Sequence, residues 1–509
     1  MASQPPENLY PNCDVNVWLR SCDREITEPI TGAITGTIPL WLSGSLLRNG
    51  PGSLKIGDDC FQHLFDSSAL LHRFCIENGQ VTYQCRFLQS EVFKKNTKAN
   101  RIVLTEFGTR AVPDPCRTIF QRVAAIFNPK SDDVSDNSMI SLYPFRDEIY
   151  AFGEMPIIHR INPKTLETEG RVDISDYVSI VHHSSHPHVM NDGCVYNLAM
   201  TFYPSGPHHT IVKFPPKTNM FEEASIVAGI PARWPFHPSY MHTFGVTENY
   251  FIVVEQPLSI SLGGLVVVKL RNEPLADCFR WYQDEKTLIS LIHRKSGKLA
   301  FKFHAEAFFY LHIINQYETV DCVVLDVCTY RDPAMLECMY IENMKNMQRN
   351  QKYAEMFRSK PLRFVLPLVD EDILVEPEQL SHLGCETPRI NYEQYLGKKY
   401  RFFYAISSDV DGNNPGTIIK VDTATKTSKT WCSPNCYPSE PIFVPHPNCQ
   451  FEDDGVVLAA IVWGGGDTNR VGLLILDAKT LEEVGRAEFE TPGPVPKCLH
   501  GWFMPNKET

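Results

Sequence analysis

Gly455–Val462 reads GVVLAAIV, Gly472–Leu476 reads GLLIL, and the turn Ala478-Lys479-Thr480 follows almost at once. Two short aliphatic runs set around tight turns mark buried antiparallel strands. The unit recurs. A β-type run, a turn ending in Lys-Thr or Lys-Ser, and a second run surround Pro163-Lys164-Thr165, Pro216-Lys217-Thr218, Lys295-Ser296-Gly297 and Thr425-Lys426-Thr427. Tyr250–Glu255 (YFIVVE), Leu265–Leu270 (LVVVKL) and Val320–Val327 (VDCVVLDV) are further runs of strand character. Copies of one hairpin at irregular spacing predict a repeated sheet unit with insertions, the signature of a β-propeller more than of a sandwich. The alternative is that Lys followed by Ser or Thr recurs only as a favourable turn. No linker rich in Gly, Ser or Pro divides the chain, so residues 1–509 read as one closed all-β domain. Leu336–Arg358 carries the clearest helical period and is expected to lie on top of the ring.

Composition narrows the function. With 43% hydrophobic and 21% charged residues, the 509-residue chain is neither disordered nor a coiled coil. Its net charge is -12 and Lys and Arg form no dense run, which argues against a nucleic-acid partner. No apolar run approaches the ~18–20 residues of a spanning helix. The start is polar, and Ala2 stands where myristoylation needs glycine. The 16 cysteines include no C-x-x-C pair, and no N-glycosylation acceptor is present. These features predict a cytoplasmic protein with free thiols.

The chain has no glycine-rich phosphate loop and no nucleophile elbow, which leaves nucleotide and hydrolase chemistry without support. Histidines stand out instead: His186 in SSHPH, His242 in YMHTFGVTENY, His312 in YLHIINQYE and His500 in CLHGWF. Separations of 56, 70 and 188 residues exclude a local zinc-finger arrangement, so any meeting point is an axis. A propeller supplies one, since each blade's innermost strand can send a side chain to the centre. Four neutral imidazoles suit a borderline metal such as iron(II), copper or zinc. Glu154, Glu386 and Glu440, each near Pro or Gly in an uncharged stretch, are candidates to orient the rings. Against this, a lone histidine is more often a surface or satisfied polar residue. Glu beside Pro is commonest as a turn or cap residue. Residue by residue, the reading ends at a β-rich protein with a candidate poly-histidine metal site.

The same segments resemble the carotenoid cleavage oxygenase family over nearly the whole length. They include IPLWLSGSLLRNGPG at Ile38–Gly52, HLFDSSALLHRF at His63–Phe74, the four histidine segments, YPSEPIFV at Tyr437–Val444 and EDDGVVL at Glu452–Leu458. The resemblance implies a seven-bladed propeller with a helical and loop cap and an iron(II) on its axis. The iron would be held by His186, His242, His312 and His500, which match the family's ligand positions, with Glu154, Glu386 and Glu440 behind them. His182, His183, His188, His237 and His304 fall outside those patterns and are expected to be structural or surface residues. Leu311 stands where the family usually has Phe, and Ser67 replaces the usual glycine of an FDG motif, a departure shared with insect carotenoid isomerooxygenases. TEFGTRAVPDPCR resembles the animal retinoid-forming branch.

The resemblance implies dioxygen-dependent cleavage of a carotenoid such as β-carotene or zeaxanthin at the central 15,15' bond. Coupled isomerisation would give 11-cis and all-trans retinal, or the 3-hydroxy aldehydes. A retinyl-ester isomerohydrolase or a non-isomerising oxygenase stays open as an alternative within the family, and a non-catalytic retinoid-binding propeller as one outside it. Phe107 matches a tunnel-lining position. A membrane-facing insertion is expected at about 113–130, where Phe120, Val123 and Phe127 share one helical face and Arg117 and Arg122 could meet headgroups. Its alternative is a packed surface helix. Cys116 matches a position of proposed lipid attachment.

Overall fold

Seven sheets, antiparallel apart from one short parallel pair between Leu299–Ala305 and Ile373–Leu374, stand like blades around one axis, in a computed structural model that describes residues 8–112, 134–369 and 372–506. The ring is closed from both ends of the chain. Gly501–Pro505 is the innermost strand of the first blade, whose other strands are Gly44–Ser53, Ser68–Glu77, Gln80–Phe87 and Ile26–Thr31. Ala33–Gly36 conversely forms the outermost strand of the seventh blade, paired with Glu483–Glu490. Pulling the ring open therefore means breaking two ladders, one at each end of the chain.

The blades between follow in chain order, each running from the axis outward. The second runs from Ser141–Phe145 to Thr168–Asp173 and the third from His182–His183 and His188–Val189 to Ser225–Pro231. The fourth spans Gly245–Val246 to Leu299–Ala305, the fifth Phe309–Glu318 to Glu378–Gln379, and the sixth Cys385–Arg389 to Thr427–Cys432. Each of the five Lys-Ser or Lys-Thr turns joins the third strand of a blade to its fourth. The repeat in the sequence is thus the outer hairpin of the second, third, fourth, sixth and seventh blades.

The core is a set of wedges between neighbouring blades. Ile252 and Ile289 of the fourth blade meet Val323 and Phe364 of the fifth, and Val324 and Cys328 of the fifth meet Phe403 and Ile419 of the sixth. Equivalent wedges fill the other five gaps. Middle strands are therefore apolar on both faces: Val323, Val324, Leu325 and Val327 in a row are all buried. This explains why strand runs such as VDCVVLDV are continuous and do not alternate.

Two local expectations are corrected. LVVVKL belongs to an α-helix, Leu262–Arg271. Ser261 caps its start by accepting from the Gly264 amide over 3.1 Å, and Asn272 closes its end in the left-handed region at φ 54°. Those caps override the strand preference of three valines. Leu336–Arg358 is broken into the short helices Ala334–Cys338, Ile341–Lys345 and Tyr353–Phe357 with a 3-10 turn between. It does lie over the ring as a cap, and the N-terminal segment is laced to it: Tyr10 donates its hydroxyl to the Asn350 carbonyl at 2.7 Å. The expected insertion at about 113–130, with Phe120, Val123, Phe127 and Cys116, lies outside the described residues.

Candidate metal centre

All seven blades contribute one side chain to the axis. His500 immediately precedes the innermost strand of the first blade, and His186 lies in the loop that interrupts the innermost strand of the third. His242 comes just before the innermost strand of the fourth, and His312 lies within that of the fifth. The carboxylates Glu154, Glu386 and Glu440 come from the second, sixth and seventh blades, the three that supply no histidine. Ring centroids lie 4.8 Å apart for His186 and His242, 4.6 Å for His186 and His500, 5.3 Å for His242 and His312, and 5.0 Å for His312 and His500.

Local backbone choices aim these rings. His312 sits where the pairing of its strand with Cys322–Tyr330 slips between Tyr310 and Ile313, and the slip turns one residue toward the axis. Beside Glu386, Thr387 adopts φ 45°, unusual for a β-branched residue, and its amide donates to Glu386 Oε2 at 2.7 Å. After His500, only glycine fits: a Cβ on Gly501 would lie 2.2 Å from the Leu47 carbonyl oxygen. The Gly501 amide in turn donates to Glu440 Oε2 at 3.0 Å.

Nδ1 of His242 donates to Glu154 Oε1 at 2.6 Å, Nδ1 of His312 to Glu386 Oε2 at 2.6 Å, and Nδ1 of His500 to Glu440 Oε1 at 2.8 Å. An ionised carboxylate only accepts, so in each ring Nδ1 carries the proton and Nε2 keeps its lone pair. His186 differs, its Nδ1 meeting the Tyr143 hydroxyl at 3.3 Å. Further groups hold the carboxylates. Tyr240 donates to Glu154 Oε1 at 2.6 Å, Tyr330 to Glu386 Oε1 at 2.8 Å, and Arg389 and Arg48 to Glu440 at 2.8 and 3.2 Å.

Burial drives the His186 imidazole well below its ordinary range, lowers His242, and brings His500 down to about 4 against the pull of Glu440. Burial alone would raise Glu154, yet His182 and His242 outweigh it and hold the carboxyl below the usual range. Arg389 and His500 do the same for Glu440. His312 and its hydrogen bonds likewise hold Glu386 below the usual range, so His186, His242 and His500 are pushed toward the neutral form and the carboxylates behind the axis are kept ionised, which suits metal ligands.

The donor set fits a cation. Nε2 of His186 and Nε2 of His242 approach to 3.1 Å, and buried Nε2 of His312 has no partner. The lone pairs of His242 and His312 facing one centre are what a metal ion satisfies. Ligand atoms of His186, His242 and His312 all lie within 4.8 Å of one another. His500 joins them through its ring contacts. Of the neighbouring histidines, His183 faces the Gly153 carbonyl at 3.1 Å and His188 the Phe244 carbonyl at 2.8 Å, while His182 reaches Glu154 Oε2 at 3.5 Å. Tyr143, Arg48, Arg389, Tyr240 and Tyr330 escaped the sequence reading. The only signal was a charge such as Arg48 inside an otherwise uncharged run.

A cavity of about 1820 Å³ opens onto the histidines. Toward the surface its wall runs from Tyr240 through Phe279 to Phe107, with ring centroids 5.4 and 5.6 Å apart, and on to the helix Leu262–Arg271. Phe107 thus lines the cavity, as the resemblance implies. Val112 and Val134, flanking the undescribed segment, line it too. Around this end Phe236 is 75% exposed, and Val266 and Val267 42% each.

Residues 19–505 match the sequence model of the family described as retinal pigment epithelial membrane protein. The chain is 60% identical over 506 residues to a carotenoid isomerooxygenase of Galleria mellonella, covering 98% of each chain. It is 51% identical to a carotenoid isomerooxygenase of Drosophila melanogaster, over 98% of this chain and 94% of that one. Identity to a β,β-carotene 15,15'-dioxygenase of Gallus gallus is 36%, over 95% of this chain and 97% of the other. Among solved structures, a mutant Synechocystis apocarotenoid oxygenase superposes with a TM-score of 0.79 at 22% identity, covering 97% of this chain and all of that one.

Proposed function

Because the chain belongs to the carotenoid cleavage oxygenases, the family of the retinal pigment epithelial membrane protein, we propose that it is an iron(II)-dependent carotenoid isomerooxygenase. It splits the central 15,15' double bond of a carotenoid with dioxygen and isomerises one half, releasing an 11-cis and an all-trans C20 aldehyde. The observation that carries this reading is the axial set of four imidazoles, three of them tied to carboxylates, at the wall of a large cavity with aromatic and aliphatic lining.

His186, His242, His312 and His500 would hold the iron. When bound, iron(II) supplies the one-electron chemistry that dioxygen needs to react with a polyene. The chain's own residues do the rest. Glu154, Glu386 and Glu440 keep Nδ1 of three rings protonated, so that Nε2 faces the axis as a donor. Three carboxylates and the two guanidiniums on Glu440 leave one net negative charge around neutral rings, which favours a dication over a bare axis. Phe107, Phe279 and Tyr240 form a wall that offers a polyene little besides shape, so the position of cleavage is set by how far the substrate slides in.

So insoluble a substrate arrives from lipid. No described helix is long and apolar enough to cross a membrane. The surface that would touch one is the cavity's rim, with Phe236, Val266 and Val267 directed outward and Lys269 and Arg271 following on the same helix.

The test is anaerobic loading with iron(II), then incubation with β-carotene or zeaxanthin in detergent under labelled dioxygen, with isomers resolved by chromatography and mass spectrometry. Equal amounts of labelled 11-cis and all-trans C20 aldehydes are expected. Cis-retinol from a retinyl ester without dioxygen uptake, and no carotenoid cleavage, would replace this reading with an isomerohydrolase.

A further inference from the structure

The same cavity is lined by an amine that no carboxylate holds. From His312 the wall passes through Glu386 to Tyr330, whose neighbours Met335 and Met339 pack on toward Met344 and Trp18. Beside Trp18 lies Lys497, lining the same cavity. Its side chain belongs to a residue only 4% exposed, and Nζ lies 4.2 Å from the centre of the Trp18 ring. Its backbone amide donates to the Val17 carbonyl at 3.4 Å, which fixes the segment in place.

What Lys497 lacks is a partner. Among the described residues its ammonium forms no ion pair and no hydrogen bond, unlike Lys420, whose Nζ reaches Asp453 at 2.6 Å. Asp14, which lines the same cavity, is engaged elsewhere: its Oδ2 accepts from the Gly465 amide at 2.8 Å. Burial pushes the Lys497 amine down to about 7, with Arg48 adding repulsion and the Cys13 and Cys498 thiols opposing it. A desolvated amine resting on one aromatic face costs stability unless something else binds it. Other charged groups on the cavity wall, such as Asp136 and Glu386, already hold partners, whereas Lys497 does not, which makes it a point where a polar group on an otherwise hydrocarbon ligand could be read.

We propose that Lys497 receives the terminal-ring hydroxyl of a carotenoid, so that the protein selects hydroxylated carotenoids and seats a hydroxylated end beside Trp18. The assignment rests on the carotenoid reading of the site. As ammonium, Lys497 donates to the hydroxyl oxygen; as neutral amine, it can accept from the hydroxyl. A bare hydrocarbon ring offers neither and leaves the amine unpaired. A site built around a substrate hydroxyl discriminates strongly against the analogue without it.

The test compares kcat/KM for zeaxanthin and β-carotene in detergent, using the iron-loaded full chain and its Lys497→Met variant. Wild type is expected to favour zeaxanthin by roughly 10- to 100-fold, the span of a hydrogen bond to a charged group. Lys497→Met is expected to lose that preference, mainly through a higher KM for zeaxanthin, and Lys497→Arg to regain part of it. Equal kcat/KM in wild type, or an unchanged ratio in Lys497→Met, would overturn the assignment while leaving the carotenoid reading intact. No cleavage of either substrate would overturn both. A second measurement needs no variant. A carotenoid with one hydroxylated and one bare ring should give a single pairing, with the hydroxyl always on the same isomer of the product. A one-to-one mixture of pairings would overturn the assignment even if Lys497→Met fails to fold.

Discussion

The axis and the rim of the cavity are built on opposite principles. On the axis the groups behind the ring nitrogens are held by directed contacts: seven blades each send one group, and the carboxylates are fixed by hydroxyls, amides or guanidiniums at 2.6–3.2 Å. At the rim, apolar side chains on the helix Leu262–Arg271 face outward with nothing described to cover them. The first arrangement orients each ring through directed hydrogen bonds, as a metal requires. The second needs only area and tolerates variation, as a lipid surface does. Their difference says that chemistry and delivery are separable, so substitutions in the two regions should fail in different assays.

The largest effect belongs to the axis. His312→Ala removes a ring from an innermost strand and should abolish turnover and bound iron together, by more than the ~100-fold that loss of an outer partner costs. Metal analysis beside the cleavage assay reads it, and retained iron with turnover would mean that His312 is no ligand. The next effect sharpens the contrast within the axis. Glu386→Gln keeps the shape but removes the charge behind His312, and should lower iron affinity or rate by ~10- to 100-fold with the fold intact. Tyr143→Phe, removing only a 3.3 Å hydroxyl contact on His186, should cost far less, about 10-fold at most. Equal losses would show that a hydroxyl and a carboxylate serve their rings alike. The smallest effect lies at the rim. Val266→Ser with Val267→Ser should weaken partition onto phosphatidylcholine vesicles by roughly 10-fold, from the apolar area lost. Unchanged sedimentation with vesicles would take this helix out of the membrane face.

Much of this was legible in the chain, for identifiable reasons. The outer hairpins were readable because each is local: two apolar runs and one turn within about 20 residues. The first and fifth blades escaped that reading, since the first turns at Asn78-Gly79 and the fifth makes a longer excursion between Lys360–Pro367 and Glu378–Gln379. LVVVKL was misread because a short apolar run fits either period, and the deciding caps at Ser261 and Asn272 lie outside it. The four histidines and three glutamates could be named from their segments, and the structure brings all of them to the axis. Their pairing could not be read, because partners lie 88, 74 and 60 residues apart and Glu154 skips its neighbouring blade to reach His242. Arg48 and Arg389 were invisible as partners of Glu440 as well, since ring closure brings the first blade onto the seventh and Arg389 reaches it from the sixth across 51 residues.

The most direct measurement is X-ray absorption at the iron edge of the anaerobically loaded protein, which counts the imidazoles and carboxylates bound to the metal. Four imidazole nitrogens and no carboxylate oxygen from the protein are expected. A carboxylate oxygen on the iron, or fewer than four imidazoles, would contradict a centre in which the glutamates act only through the histidines they hold.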